Sequence, residues 1–366
     1  MSNTQTIPVA QLEVSHYKVP TDSPESDGTL KWDHTNITIV TVQGGGHSGI
    51  GYTYGGGAVA ALIHDTLQTV VQGQDAMSPP ALHMAMWHRI RNLGRPGICS
   101  MAISAVDCAL WDLKARVLGV PLVRLLGQVH ESATIYGSGG FTSYTDRQIA
   151  EQLGGWARDG MGAVKMKIGR DPERDRERVR VAREAIGPDT KLYVDANGAY
   201  TPREALGQLR MLTRHDVRWY EEPVSSDDYE GLRFVRERAP DQMVIAAGEY
   251  GYDPFYFRRI LEQGAVDVLQ ADITRCGGVT AFMQIAAMCQ SHNVPLSAHT
   301  APAEHTAACC AAIPFTEMEY FHDHVRIEAM FFDGLPHRMR GELRPDLSRA
   351  GNGLELRRTD AEKFAA

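Results

Sequence analysis

No stretch of about 20 uninterrupted apolar residues occurs in this 366-residue chain, so no segment reads as a membrane-spanning helix. The amino terminus lacks the basic-then-apolar order of a secretory signal. Positive charge is not in excess. Lys and Arg number 37 against 45 Asp and Glu, a net −8, which argues against a nucleic-acid partner, since that needs a basic face. A local cation or lysine can still attract an acidic small molecule against that global sign. Cysteines are few, six in all, with no C-x-x-C pair, which points to reduced, mostly buried thiols and a cytoplasmic protein. The run Gly44-Gly45-Gly46 has neither the P-loop Lys-Ser/Thr nor the G-x-G-x-x-G spacing, so it reads as the turn of a hairpin. His322, His324 and Glu328 fall close together without the spacing of a zinc site. What remains is 43% hydrophobic and 22% charged, an ordinary globule with a large core and chain enough for about two domains.

Residues 10 to 55 carry strand patterns, with Thr35–Val42 and Ser48–Tyr54 as the arms of the hairpin. The polar segment Pro20–Gly28 between them reads as a surface loop, and Lys31, Trp32 and His34 at its end as a possible lid over an acidic substrate. Helical spacing follows over 58–74, 80–93 and 100–118. In the third, Ile103, Val106, Leu110, Leu113 and Val117 form the apolar stripe, with Asp107, Asp112 and Lys114 largely off it. Gly119 and Pro121 stop that helix. Strands followed by helices make the first 125 residues or so a separate α+β unit. From Ala133 onward the pattern becomes strict strand-helix alternation, with strand candidates at 133–138, 162–168, 191–195, 217–221, 243–248, 266–271, 295–299 and 316–320. Repeated about eight times, such alternation specifies a closed parallel (β/α)8 barrel of the TIM type, whose catalysis sits at the strands' carboxyl ends. In the helix over 171–186, Val179, Ala182 and Ile186 turn inward and the Arg/Asp/Glu run turns to water. Phe321–Gly334 is not a clean helix pattern, and Gly341–Leu356 is expected to fold back on the first unit.

The strand ends carry the chemistry. Asp195, Glu221 and Glu249 each close an apolar run, 26 and 28 residues apart (221 − 195 and 249 − 221), close to one strand-helix-strand unit. Acids so spaced on parallel neighbours converge, and convergent carboxylates need a neutraliser. A hard divalent cation such as Mg²⁺ fits them. Lys165 and Lys167 alternate on one strand and so share a face. A desolvated ammonium near other cations has a lowered pKa and can act as a base. Asp272 and His299, ending strands six and seven, suit a dyad in which the carboxylate fixes the imidazole tautomer. Glu319, ending strand eight, can hydrogen-bond a developing oxyanion if protonated. A cation with a lysine on one side and a His-Asp pair on the other suits abstraction of a proton α to a carboxylate, with Lys165 and the metal stabilising the charge that develops.

Lys165-Met166-Lys167, Val194-Asp195-Ala196-Asn197, Glu221-Glu222-Pro223, Gly248-Glu249, Asp272 with Cys276-Gly277-Gly278-Val279-Thr280, His299 and Glu319, together with Ala109-Leu110-Trp111-Asp112 and Leu125-Leu126-Gly127, resemble the enolase superfamily, within it the mandelate racemase subgroup. The resemblance implies an α+β capping domain over 1–128, a modified barrel over 129–335 and a segment over 336–366 that returns to the cap. It further implies Mg²⁺ on Asp195, Glu221 and Glu249, Lys167 as one acid/base and the His299–Asp272 dyad as the other. Lys165 would assist the substrate carboxylate, Glu319 would bond the enolate, and Asn197 would neighbour the metal. The muconate-cycloisomerase branch carries a lysine at the sixth strand's end, where this chain has Ile273, Thr274 and Arg275 after Asp272. Most of the mandelate racemase subgroup dehydrate sugar acids, so the expected activity is a Mg²⁺-dependent dehydration of an aldonate or aldarate to a 2-keto-3-deoxy acid. The alternatives are a racemase or epimerase of a 2-hydroxy acid working by 1,1-proton transfer and, from another class, a non-catalytic binding barrel. The partner is a small-molecule carboxylate, and the resemblance favours a homo-oligomer. Specificity is expected from the segment around residues 20–28, from Gly49–Gly55, and from Lys31, Trp32, Tyr136 and Asn197.

Overall fold

β-branched and aromatic residues build an antiparallel meander of β1 (Gln11–Ser26), β2 (Lys31–Gly44) and β3 (His47–Thr53) in the computed structural model, which describes residues 6–366. The β2–β3 turn pairs Gly44 with His47 and places Gly45 and Gly46 at φ 57° and 79°, the conformation a two-residue hairpin loop requires. Four helical pieces follow: α1 (Gly57–Leu62), α2 (Gln68–Val71), α3 (Pro79–Arg89) and α4 (Ile98–Val117), with a π-helical turn over Ile63–Leu67 between the first two. The hairpin lies directly on α4. A Cβ on Gly51 would sit 2.5 Å from both the Ala105 oxygen and the Ala109 nitrogen, so only glycine permits that approach.

β1 does not stop at Pro20. It continues to Ser26, with an irregular register between Pro20 and Glu25, and Glu25, Ser26 and Asp27 are buried rather than held in a surface loop. Trp32 causes this, since its indole N–H donates to Glu25 at 2.7 Å and pulls the segment inward. Asp107 and Asp112 are likewise fully buried. Asp107 accepts from the Thr280 backbone and hydroxyl at 2.9 and 2.7 Å, tying α4 to the barrel, while Asp112 accepts from Ile50 and Asn352 at 2.8 and 2.6 Å.

After α5 (Leu122–Leu126) come eight parallel strands: β4 (Ala133–Gly139), β5 (Ala163–Lys167), β6 (Lys191–Asp195), β7 (Val217–Glu221), β8 (Val244–Ala247), β9 (Val268–Ala271), β10 (Leu296–Ala298) and β11 (Phe315–Phe321). Each pairs with the next and β11 pairs with β4, closing the barrel. All eight sequence-predicted strands are present, shifted at their ends by no more than two residues. Helices α6 (Asp146–Arg158), α7 (Pro172–Ile186), α8 (Pro202–Arg214), α9 (Tyr229–Arg236), α10 (Pro254–Glu262), α11 (Gly278–His292) and α12 (Pro302–Ala311) connect them. A final α13 (His322–Phe331) is regular where the sequence pattern was irregular, because Ile327, Glu328 and Phe331 all turn inward against the cap. In α7, Val179, Ala182 and Ile186 are buried as expected, but Asp175 and Arg178 do not face water. Arg178 donates to the carbonyls of Lys167, Gly140 and Phe141 at 2.8, 2.9 and 3.0 Å and so braces the mouth end of β5.

Tyr136, Tyr193, Trp219, Ala246 and Val268 fill the barrel interior, while Tyr17, Ile37, Ile39 and Tyr52 of the meander pack on Ile327 and Phe331. Residues 337–344 form a short hairpin, His337–Met339 against Glu342–Arg344, that pairs with β4. Beyond it, Gly351 bridges to Pro121 and Ala365 to Tyr17. Among the described residues no helix is long and apolar enough to cross a membrane, and all six cysteines are unpaired and buried.

Candidate active site

Barrel strands deliver their last side chains to one mouth. Asp195 ends β6 and Glu221 ends β7, paired at the same level, and Glu249 follows β8 by two residues. The three carboxylates are buried, and each offers an oxygen within 4.8 Å of the others. Gly248 makes the approach of Glu249 possible: at φ 137°, a Cβ there would lie 2.1 Å from the Gln270 carbonyl. Asn197, Glu222, Thr300 and Ala301 all adopt positive φ, between 36° and 50°, at the turns leaving β6, β7 and β10. Such conformations cost on the order of 1–3 kcal/mol each and gather where a site demands them.

Lys165 contacts Glu221 directly and lies 2.9 Å from Glu319 and 3.8 Å from Asp195. Lys167 reaches Asp195 at 2.5 Å. Burial pulls both ammonium groups down, but the surrounding acids, Glu221 and Glu319 for Lys165 and Asp195 for Lys167, more than reverse it and hold both above the usual lysine range. The acids around them outweigh burial and, at Lys167, the neighbouring Lys165 ammonium, so these groups by themselves do not give the lowered pKa expected beside other cations. Burial also drives Glu221 well up despite Lys165. Glu319 goes the other way, since Lys165, His299 and Lys167 outweigh its burial and keep it ionised. It accepts from Ser138 at 2.6 Å and from the Thr300 N–H at 3.1 Å, and to donate to an oxyanion it would need a proton that this surrounding withholds.

Across the triad from Lys167 stands His299. Its Nδ1 donates to Asp272 Oδ2 at 2.8 Å, which leaves Nε2 facing the triad, 3.2 Å from Glu249 and 3.6 Å from Glu319. Burial raises the Asp272 carboxyl, but His299 and then Arg275 bring it below the ordinary range. Sequence reasoning missed Arg275 as a site residue. It lies 3.4 Å from Asp272 and donates to the Glu249 carbonyl at 3.2 Å, and its place three residues after Asp272 was the available signal. Also missed was His305, which accepts from Ile273 N–H at 2.8 Å and donates to the Ala301 carbonyl at 3.2 Å, tying together the two turns that carry the dyad.

A cavity of about 310 Å³ opens over these groups, with Lys167, Glu249 and His299 in its floor. Trp32 and Asn197 line it, joined by His34, Asn36, Tyr54 and His324. Two expected substrate contacts lie elsewhere. Tyr136 is fully buried beneath Lys165, its ring 5.3 Å below the ammonium, because its position on β4 is one layer deeper in the barrel. Lys31 is exposed at the first residue of β2 and lines a different cavity, together with Glu25, Trp32 and Arg170. The donor set suits a hard divalent cation, being three buried carboxylates with only oxygen to offer. Glu249 Oε2 is buried and accepts no well-aligned hydrogen bond.

Residues 148–361 match the enolase C-terminal domain-like family, and residues 13–127 match the mandelate racemase / muconate lactonizing enzyme N-terminal domain. The chain therefore belongs to the mandelate racemase / muconate lactonizing enzyme family of the enolase superfamily. A 3,6-anhydro-alpha-L-galactonate cycloisomerase from Streptomyces coelicolor is 33% identical over 299 residues, 80% of this chain and 82% of that protein. A mandelate racemase/muconate lactonizing enzyme-like protein from Rubrobacter xylanophilus superposes with TM-score 0.96 at 53% identity, covering 98% of this chain and all of that one. L-talarate/galactarate dehydratase from Salmonella typhimurium is 30% identical over 300 residues, 78% of this chain and 75% of that protein. Its structure, holding Mg and L-lyxarohydroxamate, superposes with TM-score 0.90 at 25% identity, covering all of this chain and 95% of that one.

Proposed function

We propose that this enzyme is a Mg²⁺-dependent dehydratase of a sugar acid, an aldonate or aldarate, yielding a 2-keto-3-deoxy acid. One observation carries the reading: two proton-transfer groups, Lys167 and the His299–Asp272 dyad, flank a buried three-carboxylate site from opposite sides. Asp195, Glu221 and Glu249 would hold Mg²⁺, the ion held by the solved dehydratase relative. When bound, the ion supplies positive charge that acidifies the carbon next to the substrate carboxylate. Lys165, buried among Glu221, Asp195 and Glu319, adds a second positive charge on that side. Lys167 would take the α-proton at Nζ in its neutral form, reached when a cation on Asp195 offsets the acid that otherwise keeps the amine protonated. The electron pair left on carbon then expels the β-hydroxyl, which leaves as water with a proton from Nε2 of His299 in its doubly protonated, imidazolium form. Asp272, bonded to Nδ1–H, orients the ring and stabilises the imidazolium that donates from Nε2. The enol so formed tautomerises to the keto acid. His34, Asn36, Tyr54 and Asn197 provide the polar lining that a polyhydroxylated chain requires.

The same opposed groups also suit 1,1-proton transfer, and the cycloisomerase relative favours a variant in which a ring oxygen is the group expelled. A panel of aldonates, aldarates and their anhydro forms, incubated with the enzyme and Mg²⁺ in D₂O, separates these by NMR. Dehydration gives a keto acid lighter by one water. α-Deuteration of recovered substrate without loss of water refutes dehydration in favour of racemisation, and a product isomeric with its substrate favours cycloisomerisation. No turnover of any member would revive the non-catalytic barrel.

A further inference from the structure

A second set of ligand-type side chains stands beside the aromatic wall of the cavity, outside the carboxylate triad. Asp22 near the end of β1, Glu25 on the same strand and His322 at the start of α13 each present one ligand atom, all within 4.8 Å of one another. Asp22 Oδ2 and His322 Nε2 meet at 2.8 Å, joining segments 300 residues apart in the chain. Glu25 is 1% exposed. Its Oε2 takes the Trp32 indole N–H at 2.7 Å, but its Oε1 is buried with no hydrogen-bond partner. A buried polar atom left without a partner is unfavourable, the more so when charged.

The protein's own cations do not relieve it. Arg326, the nearby guanidinium, is committed to Asp323 at 2.5 and 3.1 Å and to the Pro20 carbonyl at 2.6 Å, and Asp323 also takes the Thr35 hydroxyl. The cluster therefore has an unpaired carboxylate oxygen inside, an imidazole nitrogen beside it and a half-exposed carboxylate on the solvent side through which an ion can enter. One imidazole and two carboxylates form a borderline donor set, which selects a zinc-type transition ion, unlike the all-oxygen triad.

We propose that Asp22, Glu25 and His322 form a second metal site, for a divalent transition ion, that fastens the β1 edge of the meander to the end of barrel strand β11. The reach of such a fastening follows from its neighbours. Glu25 holds Trp32, Trp32 packs edge-on to Phe141, Phe141 packs edge-on to Phe321, and His322 is the next residue along the chain. An ion here closes that ring of contacts around one wall of the cavity without touching the reacting groups.

Co²⁺, a spectroscopic stand-in for Zn²⁺, is the probe. The full chain is stripped with chelator and its Co²⁺ stoichiometry measured by equilibrium dialysis with metal analysis, for wild type, Asp22→Asn and His322→Asn. Circular dichroism checks that each variant is folded. Wild type should take up two ions per chain and each variant one, and a rise in wild-type Tm on filling the second site should be absent from the variants. A single ion in wild type, or two ions retained in both variants, overturns the proposal. Asp22→Asn is the safeguard against misfolding, because that side chain is 47% exposed and its replacement removes no packing.

Discussion

Replacing Glu328 by Gln should remove a pH dependence from the stability of the folded chain. The side chain lies on α13 at the seam between meander and barrel, 3% exposed, accepting from the Tyr52 hydroxyl at 2.6 Å and the Ala303 N–H at 3.2 Å. Burial is the main cause that pushes its carboxyl from 4.5 up to about 8, and those two hydrogen bonds only partly oppose it. The folded pKa thus stands above the unfolded one. Between pH 4.5 and about 8 the folded chain keeps a proton that the unfolded chain has released, so stability is fully present below 4.5 and drains away as pH rises through 8. At 1.36 kcal/mol per pH unit, that window is worth about 5 kcal/mol. Urea denaturation of wild type and Glu328→Gln at a series of pH values from 5 to 9, with chelator present to remove metal linkage, reads the difference. The wild-type free energy should fall more steeply than the variant's, with the gap between the curves changing by several kcal/mol across the range. Parallel curves would refute the buried, protonated carboxyl.

Four further substitutions test the barrel mouth. Lys167→Ala and His299→Ala should each lower kcat by on the order of 10²–10⁴ with near-native circular dichroism, and retained turnover would remove that residue from the acid/base pair. Glu221→Gln should weaken Mg²⁺ binding in a calorimetric titration, since it takes one of three anionic ligands from the site, and an unchanged isotherm would refute the ligand assignment. Arg178→Ala should cost about 3–5 kcal/mol in a denaturant melt, because it leaves Asp175 buried and unpaired at 2.8 Å from where the guanidinium was; a loss under 1 kcal/mol would refute its bracing role.

The barrel was legible because its strands are buried on both faces and so read as short apolar runs, each ending where polarity returns. That same return marks the carboxyl end, which is why Asp195, Glu221, Glu249, Asp272, His299 and Glu319 could be located from order alone. Depth within the barrel was not legible. Tyr136 alternates correctly on β4, yet alternation says nothing of layer, and the residue lies under Lys165 rather than over it. The 20–28 segment misled because two prolines and six acidic or hydroxyl side chains resemble a loop, while the partner that draws Glu25 inward, Trp32, lies across a strand pair. Asp175, Arg178, Asp107 and Asp112 misled for a related reason: a charged residue on a helix reads as exposed until its specific acceptors are known. His34, Asn36 and Tyr54 become cavity residues only because the meander is laid across the barrel mouth, a juxtaposition no local pattern encodes.

The charge balance of the mouth leads to a less intuitive result. Six buried carboxyl groups, Asp195, Glu221, Glu222, Glu249, Asp272 and Glu319, crowd around three fixed cations, Lys165, Lys167 and Arg275, so acids outnumber cations at the mouth. A divalent ion would add positive charge where the acids are in excess. Lys165 competes with it, since its ammonium already touches Glu221 and lies 3.8 Å from Asp195. Lys165→Met keeps the apolar stem and deletes one of the three cations. At an effective dielectric of 20, repulsion between an ammonium and a cation about 4 Å away is worth ~4 kcal/mol per unit charge. Recovering only a third of that tightens binding about tenfold. The variant should therefore bind Mg²⁺ more tightly than wild type while losing turnover, because the same lysine that weakens the metal steadies the charge formed during reaction. Calorimetry on the folded variant decides the matter: a Kd equal to or weaker than wild type would show that Lys165 does not share the triad's charge.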